Sequence, residues 1–243
     1  MRVKKLEVLY EDLDILVCHK PAGVATQSAR AGVQDMVSLL KNYRAKKKEA
    51  PYVGLIHRLD QPVEGVMVFA KDQKAAAALS KQVADRGVDK YYLAVVLGAL
   101  DSNHGNLKHW LIKDGKTNLS RVAAEGDPTA KEAKLSYWVL DYDKKQNLSL
   151  VKIKLDTGRH HQIRVQFSAI GHPLLGDQKY NAGAAITDPG LENGIGGING
   201  GNVALCSYKI GFEHPKTGKK MEYEILPQNP YFTGFDVSQR LDN

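Results

Sequence analysis

Apolar residues recur along the chain in short runs parted by polar turns, and the spacing of those runs predicts the elements. Leu6 to Tyr10 and Ile15 to Cys18 are β-prone stretches flanking Glu11-Asp12-Leu13-Asp14, which predicts two strands about a turn. Lys20-Pro21-Ala22-Gly23 then punctuates the chain. Val33 to Lys47 reads as a helix with Met36, Leu39 and Leu40 on one side, running into Lys46-Lys47-Lys48 and closed by Pro51. Val66 to Ala70 predicts a strand, and Gln73 to Arg86 an alanine-rich helix that stops near Gly87. Tyr91 to Leu97 is strongly β-prone. Lys134 to Tyr142 and Leu148 to Leu155 predict paired strands about Asp143-Lys144-Lys145-Gln146-Asn147. His160 to Ile170 fits a helix, because Ile163, Phe167 and Ile170 share a face and Gly171 with Pro173 supplies a stop. Val203 to Phe212 and Met221 to Ile225 predict a last hairpin.

Strand pairs dominate, helices are irregularly interspersed, and no βαβ alternation is present. The expected class is therefore α+β with a mixed, mostly antiparallel sheet. Asn193 to Asn202 is glycine-rich but lacks the lysine and hydroxyl residue of a phosphate-binding loop, so it reads as a flexible surface loop. With no internal repeat and no clear linker, residues 1–243 are expected to form a single catalytic domain.

Composition changes this picture in two places. The formal net charge of +7 creates a field that attracts polyanions, which makes a nucleic acid a reasonable partner without specifying one. Only two cysteines occur, Cys18 and Cys206, and neither belongs to a CxxC pair. That argues against a disulfide framework or a cysteine zinc site and suits a reducing, cytoplasmic compartment. Apolar runs are broken by charge well short of bilayer thickness, so no membrane span is expected, and the basic N-terminus leads into no signal-peptide core.

The chemistry-bearing stretches are His57-Arg58-Leu59-Asp60-Gln61-Pro62-Val63-Glu64-Gly65 and Thr157-Gly158-Arg159-His160-His161-Gln162-Ile163-Arg164. An aspartate in a proline turn is, alone, an ordinary salt-bridged loop residue. The second stretch, with its arginines and imidazoles at the predicted start of a helix, raises the interest of the first. Adjacent histidines on a helix point in different directions and do not readily share one ion, so no metal is expected. Lys41, Arg44, Lys46, Lys47 and Lys48 form a basic group that reads equally as a phosphate contact or as a solvated helix face.

In their order, the HRLD segment, Lys90-Tyr91-Tyr92-Leu93-Ala94, the TGRHHQIR segment and Gly171-His172-Pro173-Leu174-Leu175-Gly176-Asp177 resemble the RluA-type pseudouridine synthases. Tyr10-Glu11-Asp12 with Lys20-Pro21-Ala22-Gly23, and the closing Phe212-Glu213-His214-Pro215, extend the similarity over nearly the whole chain. The resemblance implies a mixed, mostly antiparallel sheet in two sub-lobes with a central catalytic cleft. It implies isomerisation of uridines in structured ribosomal or transfer RNA, without a cofactor, through Asp60 as nucleophile. A carboxylate can serve the break and remaking of a glycosidic bond by covalent catalysis. Arg164 is the matched basic residue, expected to hold Asp60 charged and aimed through a two-pronged pair.

Tyr92 matches the family's tyrosine and would stack on uracil or relay a proton, although one of Tyr91 and Tyr92 must pack elsewhere, because alternate strand residues face opposite sides. An extruded base leaves a gap, and Arg58 is the matched wedge for it. Ile163 reads as an apolar wall under the base or as plain core, Arg159 as an RNA contact or a turn cap. His57 is a substrate-side candidate that reads better as a hydrogen-bonded structural histidine than as a general base.

The chain departs from the family pattern at Gln61 and Glu64, where many relatives carry a basic and a small hydroxyl residue; Glu64 would repel a nearby phosphate. Because the catalytic pattern begins within the first ten or so residues, an N-terminal S4-type RNA-binding module is expected to be absent. A monomer is expected. The rival from another class is a non-catalytic RNA-binding protein that keeps the fold; a metal- or phosphate-dependent enzyme lacks the ligand clusters and loops it needs.

Overall fold

The computed structural model describes residues 6–28, 32–181 and 202–241. Residues 193–201 of the glycine-rich segment expected to be a surface loop lie outside the described residues. The chain divides into two compact units, Met1–Lys90 with Ser207–Ile225, and Tyr91–Cys206 with Leu226–Asn243.

The first unit is built on strands β1 (Glu7–Glu11), β2 (Ile15–Lys20), β3 (Gly54–Leu55), β4 (Glu64–Ala70) and most of β10 (Leu205–Glu213), with β11 (Lys220–Glu224) as a hairpin partner of β10. The order is β1-β2-β4-β10, with β3 also on β4, and the β1/β2, β2/β4 and β3/β4 pairings are antiparallel. Both β2 and β4 are buried along their whole length, as continuous apolar runs should be. Val17, Val66, Val68 and Ile210 pack with Ala75 and Leu79 of helix α2 (Gln73–Ala84), which Asp72 caps through the Ala75 N–H.

Helix α1 (Met36–Lys46) begins three residues later than the expected Val33, because Asp35 forms a capping box with Ser38. Two members of the basic group serve the fold. Arg44 is buried and donates to the carbonyls of Tyr52 and Lys71, with Nε on Glu49 at 3.1 Å. Lys47 joins Lys71 and the Tyr43 hydroxyl on Glu11, at 2.7–2.8 Å each. Burial alone would raise the Glu11 pKa, but these hydrogen bonds outweigh it and hold the carboxyl down at about 2.

The second unit carries β5 (Asp89–Leu97), β6 (His104–Asp114), β7 (Leu119–Ala123), β8 (Lys131–Asp143) and β9 (Leu148–Leu155), in the order β5-β9-β8-β6-β7 and antiparallel throughout. Helix α3 (Gln162–Ala169) covers one face, with Phe167 edge-on to Tyr137 at 5.7 Å between ring centres. A 3-10 turn (Pro230–Phe232) and helix α4 (Val237–Leu241) complete the described chain. Every predicted strand and helix is present, while β6 and β7 were not legible. Cys18 and Cys206 are both buried and not joined in a disulfide, and among the described residues no helix is long and apolar enough to cross a membrane.

Gly65 shows how tightly β4 must approach its neighbour. It sits at φ +151°, and a Cβ there would meet Ser207 at 2.5 Å from its Cβ and 2.7 Å from its backbone N and O. Backbone cannot yield as a flexible side chain can, so Gly65→Ala should destabilise the protein by at least about 2 kcal/mol. The denaturant midpoint at unchanged slope is the measurement, and an unaltered midpoint would contradict the close approach.

Candidate active site

Asp60 belongs to the first unit and sits in the irregular stretch between β3 and β4, half-buried, while its neighbours on both sides are fixed. Leu59 is buried, and the hydroxyl of Thr26 donates to its carbonyl at 2.8 Å and accepts its N–H at 3.2 Å. Thr26 is itself 3% exposed, so this pair is shielded from water. Beyond Asp60, the carbonyl of Gln61 accepts the Gly23 N–H at 2.8 Å and the Lys20 ammonium at 3.3 Å. Gln61 also donates from Nε2 to the Gly23 carbonyl at 3.1 Å. The Val63 N–H then closes a turn on the Asp60 carbonyl at 3.1 Å. The Lys20-Pro21-Ala22-Gly23 turn and the HRLD loop therefore form one hydrogen-bonded piece, with a buried ammonium also held by the Val24 carbonyl at 2.7 Å.

Both departures from the family pattern become intelligible here. Gln61 is spent on Gly23. Glu64 is 2% exposed, beside His19, with Oε2 3.7 Å from Nε2, so it presents no charge at the surface to repel a phosphate.

Arg58 is exposed, as a residue reaching out to a partner must be. His57 accepts the Val68 N–H on Nε2 at 3.2 Å, which leaves Nδ1 to carry the proton of a neutral ring. Burial, with the Lys90 charge adding to it, pushes the His57 pKa from 6.5 down to about 4.

Tyr92, Arg159, Ile163 and Arg164 belong to the second unit. Tyr92 is 6% exposed and lies opposite Ile153, which in turn lies opposite Tyr137, so Tyr92 occupies the face that α3 covers. Tyr91 points the other way, with the Lys154 ammonium 5.5 Å from its ring centre. Helix α3 is buried on all sides from Gln162 to Phe167, Ile163 included, rather than along one stripe. It starts at Gln162, not His160, because His161 adopts φ +52°. Gln162 knits the approach together, accepting from Thr157 Oγ1 at 2.8 Å and the Arg159 N–H at 3.0 Å and donating to the Lys134 carbonyl at 3.0 Å. Arg159 gives its Nε to the Glu132 carbonyl at 2.8 Å.

Arg164 makes a two-pronged pair with Asp177, Nε to Oδ2 and Nη2 to Oδ1, both at 2.7 Å. Their side chains are 3% and 0% exposed. Asp177 thus occupies the Nε–Nη2 edge of the guanidinium. Gly176, at φ +79° and with no room for a Cβ beside the Tyr231 ring, delivers that carboxylate. The Tyr180 ring lies 5.2 Å from the guanidinium carbon, and its hydroxyl contacts His161 Nδ1 at 2.6 Å and the Ser120 N–H at 2.8 Å. His160 and His161 stack at 3.7 Å, with His160 Nδ1 on Ser120 Oγ at 2.9 Å, so the histidine pair serves as scaffold.

Among the described residues, the group with metal-ligand spacing is Asp12, Asp14 and His214. Its imidazole is already engaged at both nitrogens, Nε2 on Asp12 at 2.8 Å and Nδ1 accepting the Lys216 and Thr217 N–H groups. Sequence reasoning missed Asp177 as the arginine's partner, although it closes a quoted motif, and missed Thr26, which no motif marks.

Residues 14–169 match the family described as RNA pseudouridylate synthase. An uncharacterised RNA pseudouridine synthase of Aquifex aeolicus is 32% identical over 90% of this chain and 69% of its own length. The ribosomal large subunit pseudouridine synthase D of Zymomonas mobilis is 32% identical over 92% of this chain and 70% of its own. The solved structure of human RNA pseudouridylate synthase domain containing 4 superposes with a TM-score of 0.76 at 22% identity, over 97% of this chain and 93% of that one, and shares the fold. The chain belongs to the RNA pseudouridine synthase family, in its RluA-type branch, and is an RNA-modifying isomerase.

Two outcomes follow from this geometry. Arg164→Met strands a buried carboxylate at Asp177, so the variant should lose about 3–5 kcal/mol of stability by chemical denaturation. Because the folded pKa of His57 lies below 6.5, the unfolded chain binds the extra proton first as pH falls. The melting temperature should therefore drop between pH 6.5 and about 4, and His57→Gln, which keeps an acceptor for Val68, should flatten that slope.

Proposed function

We propose that Asp60 is the nucleophile of the isomerisation, that Arg164 and Tyr92 serve the same reaction, and that the substrate is a structured RNA of the ribosomal or transfer class. The observation that carries this reading is the fixation of the backbone on both sides of Asp60, by Thr26 before it and by Gly23 and Lys20 after it, while Asp60 itself stays half-buried. A loop made rigid around one carboxylate is the preorganisation that covalent catalysis needs.

In this reading a carboxylate oxygen of Asp60 bonds to C1′ as the N1–C1′ bond breaks and its electron pair leaves with the uracil. The base turns, C5 bonds to C1′, and the carboxylate departs. The C5 proton is then lost while N1 gains one, so the product is an isomer and no other reagent is consumed. Tyr92 stacks on the base or passes that proton. Arg58, exposed beside the loop, fills the space of the extruded nucleotide. Ile163 lies under the base, and Arg159 and His57 act from the substrate side. Ribosomal RNA is supported by the likeness to the ribosomal large subunit pseudouridine synthase D of Zymomonas mobilis. Two buried thiols not joined in a disulfide suit a cytoplasmic setting.

Isomerisation releases tritium from RNA labelled at uridine C5. Asp60→Asn should lower that release at least about a thousandfold with the fold retained by circular dichroism. A rate within tenfold of the parent would remove Asp60 from the role.

A further inference from the structure

The sheet of the second unit has two unlike faces. The face carrying Tyr92 is core: Ala133, Leu135, Tyr137, Val151 and Ile153 on it are all buried. On the other face, no residue of β6, β7 or the Glu132–Trp138 half of β8 is buried. The antiparallel registers fix which residues share it. Trp138 lies opposite His104 on β6 and Lys152 on β9; Trp110 lies opposite Glu132 on β8 and Ala123 on β7. Ile112 and Arg121 face each other, as do Lys108 and Lys134.

An open face of this kind is usually polar. This one holds both tryptophans of the chain, with Trp138 37% exposed. The cross-strand neighbours of the two indoles are histidine, lysine, glutamate and alanine. Around them stand Lys108, Arg121, Lys134, Lys152 and Lys154, against Glu125, Glu132 and Asp114, with Glu132 2.9 Å from the Lys134 ammonium and 3.6 Å from that of Lys108 and Glu125 3.9 Å from the latter, which leaves a surplus of cations. The Lys152 ammonium sits 5.7 Å from the Trp138 ring centre. Flat aromatic surface set among cations on a four-stranded face matches the chemistry of an RNA strand: bases stack on the rings and phosphates meet the ammonium groups. A protein partner would have no use for such a surplus of positive charge unless it were acidic.

We propose that this face is a second RNA-contact surface, which holds a single-stranded segment of the substrate RNA away from the target nucleotide. It rests on the RNA-modifying reading of the chain but not on the role of Asp60.

The test uses the full chain and a single-stranded, uridine-containing RNA oligonucleotide. Trp138→Ala should weaken binding roughly tenfold. Lys108→Gln with Lys152→Gln should reduce the slope of log affinity against log salt by about 0.7 for each lysine. In Trp110→Phe, where Trp138 is the remaining indole, the RNA should quench the fluorescence. On modified RNA, Trp138→Ala should raise KM far more than it lowers kcat. Affinity within twofold of the parent, an unaltered salt slope and no quenching would overturn the proposal. Asp60→Asn separates the two readings. It should bind the oligonucleotide as the parent does, so failure of the surface shows in binding and failure of the nucleophile shows only in tritium release.

Discussion

The geometry of the HRLD loop rests on a buried hydroxyl that both gives and takes a hydrogen bond at a single residue. Thr26 closes on the N–H and the carbonyl of Leu59, and Gly23 with Lys20 and the Gln61 amide close on the residue after Asp60. The two peptide planes that meet at Leu59 are each held at one polar group, and the plane after Gln61 is held at its carbonyl, so the backbone on both sides of the carboxylate has little freedom left. The surrounding strands follow from the same need. Strand β4 must leave the loop and at once pass within contact distance of Ser207, which only glycine at 65 permits.

The second unit solves a different problem, that of keeping a guanidinium almost wholly out of water. Asp177 supplies the opposite charge, and the N–H groups of Lys179 and Tyr180 satisfy its remaining lone pairs at 3.0 and 3.3 Å. Because each partner is buried, the pair contributes aim rather than net stability; replacing both by apolar groups would cost little, while removing one is severe. The Tyr180 ring and the stacked imidazoles extend this scaffold toward β7, so the whole TGRHHQIR segment is positioned by hydrogen bonds that do not involve substrate.

Much of this was legible in the sequence. Long apolar runs gave β2, β4, β5 and β9 because both faces of those strands, or one face strongly, are buried. Strands β6 and β7 escaped because their alternation is masked: one face of β6 carries His104, Asn106, Lys108 and Trp110, the other Gly105, Leu107 and His109, and neither is uniformly apolar. The start of α3 was misplaced because a left-handed residue at His161 leaves no compositional trace. Asp60 and Arg164 stood out through their motifs, but pairings did not. Which carboxylate an arginine meets depends on tertiary approach, and the Asp177 partner lies thirteen residues on, across a loop. Thr26 stands in a stretch with no marked pattern, and its hydroxyl acts on the backbone of a residue far along the chain.

The ion network of α1 has a consequence for how the molecule meets a polyanion. Arg44, Lys47 and Lys71 are paired internally with Glu11 and Glu49, so Arg44 and Lys47, two members of a conspicuous basic run, add little to the outward potential. The net charge of +7 is thus distributed unevenly. Charge left outside such networks, rather than the total, is what steers an approaching polyanion.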